Sequence, residues 1–506
     1  MSKSLPARPN LEQLKKQAKE LLSAAKLGEP SALKRFTEGR PGLGNGLTLR
    51  TAKLGDAQQV IARKYGFASW TKLKEHIESL PIETENPLQQ LVGAFHNNDA
   101  PRFRELLQGH PEFKAKLNEP IGPFDSPAIT NVSSREMLDV LLEAGADINA
   151  KSRWWAGGFG LLHNASPELA AYAIQRGANV DAHAAARLGL FERLRELVAA
   201  DPTLVNAPGG DGQTPLHFAS TVQIAEFLLD HGANIDARDV DHESTPAQYM
   251  IRDRQEIVRF LVQRGCRTDI LMAAALGDAA LVRQHLGSDP ECVRLRVTDE
   301  FFPKANPKSG GTIYQWTLGW HVSPHEVARQ FGHSEIVHLL RERSPADVQL
   351  LTACWAGDGT EVQSLIAGSP GLASTLSEGN RRQIADAARN NHTTAVRLML
   401  LAGLPVNALG QHRATPLHWA AFHGNVEMAR EILRYQPPLE LTDSDFHGTP
   451  LGWAIHGSEH GWHRRTGDYA GTVEALLQAG AKTPEKRGGS EAVQLVLQRH
   501  DNFRDS

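Results

Sequence analysis

Three stretches of this chain close in nearly the same way: LLEAGADINA at 141–150, AIQRGANVDA at 173–182 and LLDHGANIDA at 228–237. Weaker copies read LVQRGCRTD at 261–269, LLAGLPVNA at 400–408 and LLQAGAKTP at 476–484. Gly232 and Gly265 stand 33 residues apart, and Gly145 and Gly177 stand 32 apart. A period of this length marks a repeat array, in which one unit cannot bury its apolar face alone and neighbours must stack to do so.

A second element precedes these endings. Thr-Pro-Leu-His occurs at 214–217 and at 415–418, with degenerate forms at Thr245-Pro246, Thr449-Pro450, Ser323-Pro324 and Ser126-Pro127. Thr or Ser suits a helix N-cap, and Pro suits the first helical position, where its missing N–H costs nothing. The next apolar residue enters the core, and the glycine at the far end permits a left-handed cap. The expected unit is a short capped helix, a longer second helix, a glycine stop and a β-turn. Four segments end in Pro instead, at Pro111, Pro202, Pro290 and Pro370, spaced 91, 88 and 80 residues apart. That spacing suggests a three-repeat superperiod.

DGQTPLHFAS and VQIAEFLLDHGANIDARD, within 211–239, resemble the ankyrin-repeat family. The resemblance covers most of 85–484. It implies an all-α ankyrin-repeat solenoid of stacked helix pairs with β-turn loops, roughly twelve units long at about 33 residues each. Such an array forms a curved rod without a central core. The family implies a structural role for His217 and His418, hydrogen-bonding neighbouring turns. It also implies a protein partner held on the concave face and loop tips.

Charge divides the chain further. Residues 1–80 hold 15 Lys/Arg and 7 Asp/Glu, a balance of +8, which leaves −12 of the overall −4 for the rest. The expected organisation is a basic helical domain at 1–80, the array at 85–484, and a closing helix and tail at 485–506. In the head, Asn10 caps an amphipathic helix carrying Leu11, Leu14, Ala18, Leu21 and Leu22 on one face. A short helix over 31–36 and the loop GRPGLGNGLT follow. Then come two helices around Gly66, the second capped by Ser69. This head resembles segments found ahead of bacterial ankyrin arrays, which points to a bacterial source. Val60, Ile61, Gly66, Phe67, Trp70 and Leu73 also outline a helix-turn-helix, with Arg63, Lys64, Lys72 and Lys74 able to meet phosphates. Trp70-Thr71-Lys72 offers little for base edges, so a packed cap is the better reading.

Three insertions interrupt the array: 151–160 (KSRWWAGGFG), 298–321 and 456–471. Five of the nine tryptophans lie in them, and aromatics on loops act either as anchors in binding sites or as roofs over apolar edges. The candidate binding residues are Trp154, Trp155, Tyr314, Trp316, Trp320, His321, Trp462, His463 and Arg464. His456, His460 and His463 would share a face if the helix continued, but Gly457 and Gly461 are expected to interrupt it. No metal and no cofactor are expected.

No GxSxG, Walker loop, dinucleotide fingerprint or cysteine-based constellation is present, so an enzyme is not expected. The alternatives are a small-ligand or glycan receptor, or a cryptic enzyme, built on the insertions, and a nucleic-acid-linked regulator acting through the head. The N-terminus lacks an apolar stretch, no run of about 18 apolar residues occurs, and Cys266, Cys292 and Cys354 lie far apart. These features lead to the expectation of a cytoplasmic monomer that does not enter membranes.

Overall fold

The computed structural model describes residues 11–26, 32, 36, 53–65, 67, 69–79, 86–484 and 488–504. Asn10, Gly66 and the GRPGLGNGLT loop lie outside them. The chain divides into two compact units, Met1–Phe113 and Lys114–Ser506. Among the described residues there is no β-strand, and no helix is long and apolar enough to cross a membrane.

In the first unit, helix Leu11–Lys26 packs on Leu54–Lys64, which packs on Trp70–Ser79. Leu14, Ala18 and Leu21 meet Phe36, Val60, Ile61 and Leu73 in one buried cluster, with Phe67 and Trp70 half-buried against it. The Lys72 N–H donates to Ser69 Oγ at 3.2 Å, so Ser69 caps the third helix. A helix pair, Pro87–His96 and Ala100–Gly109, follows.

The second unit is a succession of helix pairs. Their first helices are Ala128–Asn131, Leu161–His163, Ala182–Leu188, Pro215–Phe218, Pro246–Met250, Ile270–Leu276, Pro324–Gln330, Ala346–Ala356, Glu378–Arg389, Pro416–His423 and Pro450–His460. Each is followed by a second helix, such as Val222–Asp230 after Pro215–Phe218, and Glu491–Arg504 closes the series. With the pair of the first unit, the described residues hold twelve pairs (eleven and one). Three of the first helices are single 3₁₀ turns. From Ala182 onward the apolar faces of the helices join in two buried clusters, over 182–340 and 350–497. Burial therefore runs from repeat to repeat, as stacking requires.

Local chemistry explains the recurring motifs, with one change. Thr214 and Thr415 do not cap through their hydroxyls. Instead the histidine three residues on does the work: His217 Nδ1 accepts the Thr214 N–H at 3.1 Å, and His418 Nδ1 accepts the Thr415 N–H at 3.2 Å. The other ring nitrogen reaches the next repeat, where His217 Nε2 donates to the Ser244 carbonyl at 3.2 Å and His418 Nε2 to the Gly448 carbonyl at 3.1 Å. Gln248 and Glu326 take the histidine's place at Thr245 and Ser323. The repeat-ending glycines Gly145, Gly177, Gly232, Gly265, Gly403 and Gly480 all lie at φ between 88° and 101°, a region costly for any residue with a Cβ.

The Pro-ended segments form 3₁₀ turns, capped at Asp201 and Asp289 by carboxylates that accept a backbone N–H two residues on, each at 3.0 Å. The superperiod is not regular. Two further pairs separate Pro111 from the pair ending at Pro202, and two more lead to the one ending at Pro290. Only Pro324–Gln330 with Ser334–Arg343 precedes the pair that ends at Pro370, and the 298–321 insertion supplies the remaining length.

Buried histidines make the fold acid-sensitive. Burial disfavours the charged ring and holds His217, His325 and His423 each at about 4. An unfolded histidine titrates near 6.5. Between about pH 6.5 and 4 the unfolded chain therefore binds protons that the native state refuses, and stability falls as pH drops through that window. Asp386, raised to about 6 by burial, acts oppositely: the native state takes up its proton first, so it favours folding as pH falls from 6 towards 4. His321, pushed down to about 2, adds to the histidines and Asp211, raised to about 6, to the carboxyls, so four groups outweigh two. The urea midpoint is expected to fall between pH 7 and pH 5, by on the order of 1–2 kcal/mol for each histidine. His217→Asn should flatten the profile, and a midpoint unchanged to pH 5 would contradict the assignment.

Candidate functional site

Each insertion folds back on the repeats beneath it. In the first, the Ser152 N–H donates to the Phe159 carbonyl at 2.9 Å, closing a small hairpin. Gly157 lies at φ +137°, and a Cβ there would meet the Gly209 carbonyl oxygen at 2.1 Å, so only glycine lets the loop touch the tip at 209–212. Trp154 and Trp155 are half-buried, their centroids 6.1 Å apart, and Trp154 meets the exposed Phe124 edge-on at 5.0 Å. The second insertion is tied to the tip at 241–244. Ser309 Oγ donates to the Asp241 carbonyl at 2.6 Å, and the Ala305 and Asn306 N–H groups donate to the Glu243 carboxylate at 2.9 and 2.8 Å.

Several sequence-based expectations change here. Tyr314 offers nothing to a ligand: its ring is fully buried and its hydroxyl donates to Asp269 Oδ2 at 2.9 Å. Trp316, two residues on, is 70% exposed. Gly457 does not interrupt its helix, which runs through it from Pro450 to His460. A Cβ at 457 would lie 2.5 Å from the Phe422 carbonyl oxygen, so glycine serves helix packing there. His456 and His460 face each other with ring centroids 4.8 Å apart, whereas His463 turns to His423 at 5.1 Å. The three therefore do not form one ligand set. Arg464 is exposed.

Trp320 and His321, by contrast, open onto a cleft of about 550 Å³. Arg294, Arg296 and Phe301 come from before and within the second insertion, Asp347 from Ala346–Ala356, and Asn380, Arg382, Gln383 and Asp386 from Glu378–Arg389. Arg296 is buried, 3.8 Å from the Glu326 carboxylate, and its guanidinium donates to the His321 carbonyl. His321 is a buried non-glycine residue at φ +66°, a strained backbone of the kind that gathers at working sites. Its Nδ1 lies 3.3 Å from Asp386 Oδ2. Burial, together with the Arg296, Arg389 and Arg382 guanidinium groups, keeps the ring neutral, its value pushed down to about 2, so this contact is not an ion pair. Asp386 Oδ1 accepts no hydrogen bond, and its nearest cation is Arg382 at 3.9 Å. Asp386 Oδ1 is thus a hydrogen-bond acceptor at the wall of the cleft, close to one guanidinium.

Arg389 joins this cleft to a second surface. Its Nε donates to Gln411, which lines the cleft, at 2.7 Å, and its guanidinium lies 5.6 Å from the rings of both Trp419 and Trp462. Trp462 stacks on buried Trp419 at 6.0 Å, meets Phe422 edge-on at 5.3 Å, and is 60% exposed. On the neighbouring tip, Asp443 accepts the N–H groups of Asp445, Phe446 and Gly448 and thereby holds up Phe446, which is 70% exposed. The structure thus brings together Trp320 with His321, and Trp462 with His463, and adds Arg296, Asp386, Arg389, Trp419 and Phe446. None of these five stands in a distinctive local spacing. A lone Phe in DSDFHG and a Trp after TPLH were the only visible hints.

The family described as Ankyrin repeats (3 copies) matches residues 182–272 and 384–487. Among curated proteins, "Ankyrin repeat and SAM domain-containing protein 6" of Mus musculus is 29% identical over 150 residues, covering 29% of this chain and 16% of that protein. "E3 ubiquitin-protein ligase KEG" of Arabidopsis thaliana is 23% identical over 268 residues, covering 48% of this chain and 16% of its own length. "Ankyrin repeat and SOCS box protein 16" of Homo sapiens is 27% identical over 234 residues, covering 46% and 44%. The chain thus spans about a sixth of the length of the first two and under half of the third. All three come from eukaryotes, and two of them carry ankyrin repeats in their names.

Proposed function

We propose that this chain is a protein-interaction scaffold, not an enzyme, that holds a segment of a partner protein across the Trp320–His321 cleft and the Trp462–Phe446 surface. The carrying observation is that exposed aromatics stand on rigid supports beside a polar cleft. Trp462 is held from beneath by Trp419 and Phe422, and Phe446 by the Asp443 turn. Large apolar anchors flanked by satisfied and unsatisfied polar groups are the pattern of a binding hot spot. The ankyrin repeats support the same reading, since such repeats generally mediate protein–protein contact.

The test is to place a photo-crosslinking residue at 462, at 446 and, as a control, at the exposed Glu226 of helix Val222–Asp230, in the full chain. One protein adduct of common mass at 462 and 446, absent at 226, is expected. Adducts equal at all three positions, or none, would remove the reading. With the partner identified, Trp462→Ala should weaken binding at least tenfold while changing stability by less than about 1 kcal/mol, because the ring is mostly in solvent.

A second reading, a small polar ligand in the cleft, is favoured by the Asp386 Oδ1 acceptor, which takes no hydrogen bond within the protein. It predicts that Asp386→Asn abolishes binding while Trp462→Ala leaves it intact. For the basic head we propose a packed helical cap, with Lys72 and Lys74 on its exposed side. Salt-sensitive retention of DNA by the full chain, lost on neutralising those lysines, would overturn that. A monomer in a reducing, cytoplasmic compartment accords with three free cysteines, of which Cys266 and Cys354 are buried.

A further inference from the structure

The tips at 209–213 and 239–244 lie side by side, the Asp211 carbonyl accepting the N–H groups of Val240 at 2.7 Å and Asp241 at 3.2 Å. That pairing gathers three potential ligands. One carboxylate oxygen each from Asp211 and Asp241 and one ring nitrogen of His242 all lie within 4.8 Å of one another. Among the described residues this is the group of three so placed. His242 Nδ1 lies 2.9 Å from the Gly311 carbonyl, to which it can only donate. In the neutral ring Nε2 is then the acceptor, 3.8 Å from Asp241 Oδ2. An outer hydrogen bond of this kind orients a metal-binding imidazole and selects its tautomer.

The carboxylates show the complementary deficit. Asp211 Oδ1 is out of contact with solvent and accepts no hydrogen bond of good geometry, although the Trp154 indole N–H approaches the same carboxylate. Asp241 is 6% exposed, and its Oδ1 takes only the Gly310 N–H at 3.1 Å. Burial and the neighbouring Asp241 and Asp239 carboxylates hold the Asp211 carboxyl above its usual range. Two carboxylate oxygens and a ring nitrogen thus converge on one space.

We propose that Asp211, Asp241 and His242 bind a divalent transition ion, with Zn²⁺ as the reference occupant. One imidazole and two carboxylates suit a borderline cation, whereas Mg²⁺ and Ca²⁺ favour all-oxygen sets. Tetrahedral zinc asks for ligand atoms roughly 3.3 Å apart, reached here by small rotations of the carboxylates, and leaves a fourth position open. The ion would fasten two adjacent tips together. Through the His242–Gly311 bond it would also order the second insertion, whose residues 298–301 line the cleft.

The test uses the full chain stripped with chelator and titrated calorimetrically with ZnCl₂, and separately with MnCl₂, MgCl₂ and CaCl₂. One Zn²⁺ per chain at micromolar affinity or better is expected, weakened at least tenfold by Asp211→Asn and by His242→Gln. It should be unchanged in a His456→Ala, His460→Ala control, which removes the adjacent surface pair. Because the variants could loosen the tips, Co²⁺ loading of the unaltered chain supplies a second readout. Visible absorption of a low-symmetry site with nitrogen and oxygen ligands is expected, together with slower hydrogen exchange at 305–313. Zinc binding that survives both single variants, loss only in the His456/His460 control, or a preference for Mg²⁺ or Ca²⁺ would overturn the proposal.

Discussion

Truncating Trp419 to alanine is expected to destabilise the repeats around it by about 3–5 kcal/mol, among the largest costs of any single change in this chain. Trp419 is 3% exposed and sits among Trp453 at 5.0 Å, Phe422 at 6.1 Å and Trp462 at 6.0 Å, with the Arg389 guanidinium over its face. No neighbour can fill the space an indole leaves. Its Nε1 is buried without a partner, so its polar end contributes nothing that a phenyl ring would lose. Trp419→Phe should therefore cost under about 1.5 kcal/mol. A repeat array unfolds piecewise, so hydrogen exchange at amides 417–433 and 451–478 localises a loss that a urea transition reports only in sum. Equal effects of the two substitutions would show that the cluster is not packed as described. Loss of Trp419 should also free Trp462 and weaken partner binding.

Arg296→Ala is the second large effect, also about 3–5 kcal/mol, for a different reason. The guanidinium is buried, faces Glu326, bonds the His321 carbonyl and lies 5.5 Å from the Trp355 ring. Its removal leaves Glu326, itself 8% exposed, as an unbalanced buried charge, and strips the support from a backbone already held at φ +66°. The paired change Arg296→Met with Glu326→Met should recover most of the loss, because the penalty lies in the orphaned partner. Urea unfolding of the two variants decides the matter, and a double variant no better than the single would refute it.

The repeats were legible because each depends on chemistry within a few residues: a proline that starts a helix, a glycine that ends it. Even there His217 was read as a tie to the neighbouring turn, which it is, while its second task, capping its own threonine, went unseen. The cleft was legible only at Trp320 and His321. Its other walls, Arg296 and Asp386, stand 90 positions apart, one in a connecting segment and one in helix Glu378–Arg389, and neither belongs to a motif. They meet only because repeats well separated along the chain turn the same side to the insertion. Tyr314 misled for the converse reason: an aromatic in a long loop looks exposed until the loop folds onto Asp269.

The bonds from 306–311 back to 241–243 span more than sixty residues, whereas the histidine links between repeats span about thirty. A stack joined only to adjacent members can lose one end and keep the other. Here a stitch passes over an intervening member, so the stretch from about 241 to 311 cannot fray one layer at a time. It must open as a single block, so helices between 246 and 288 are expected to resist proteolytic nicking together and to lose that resistance together.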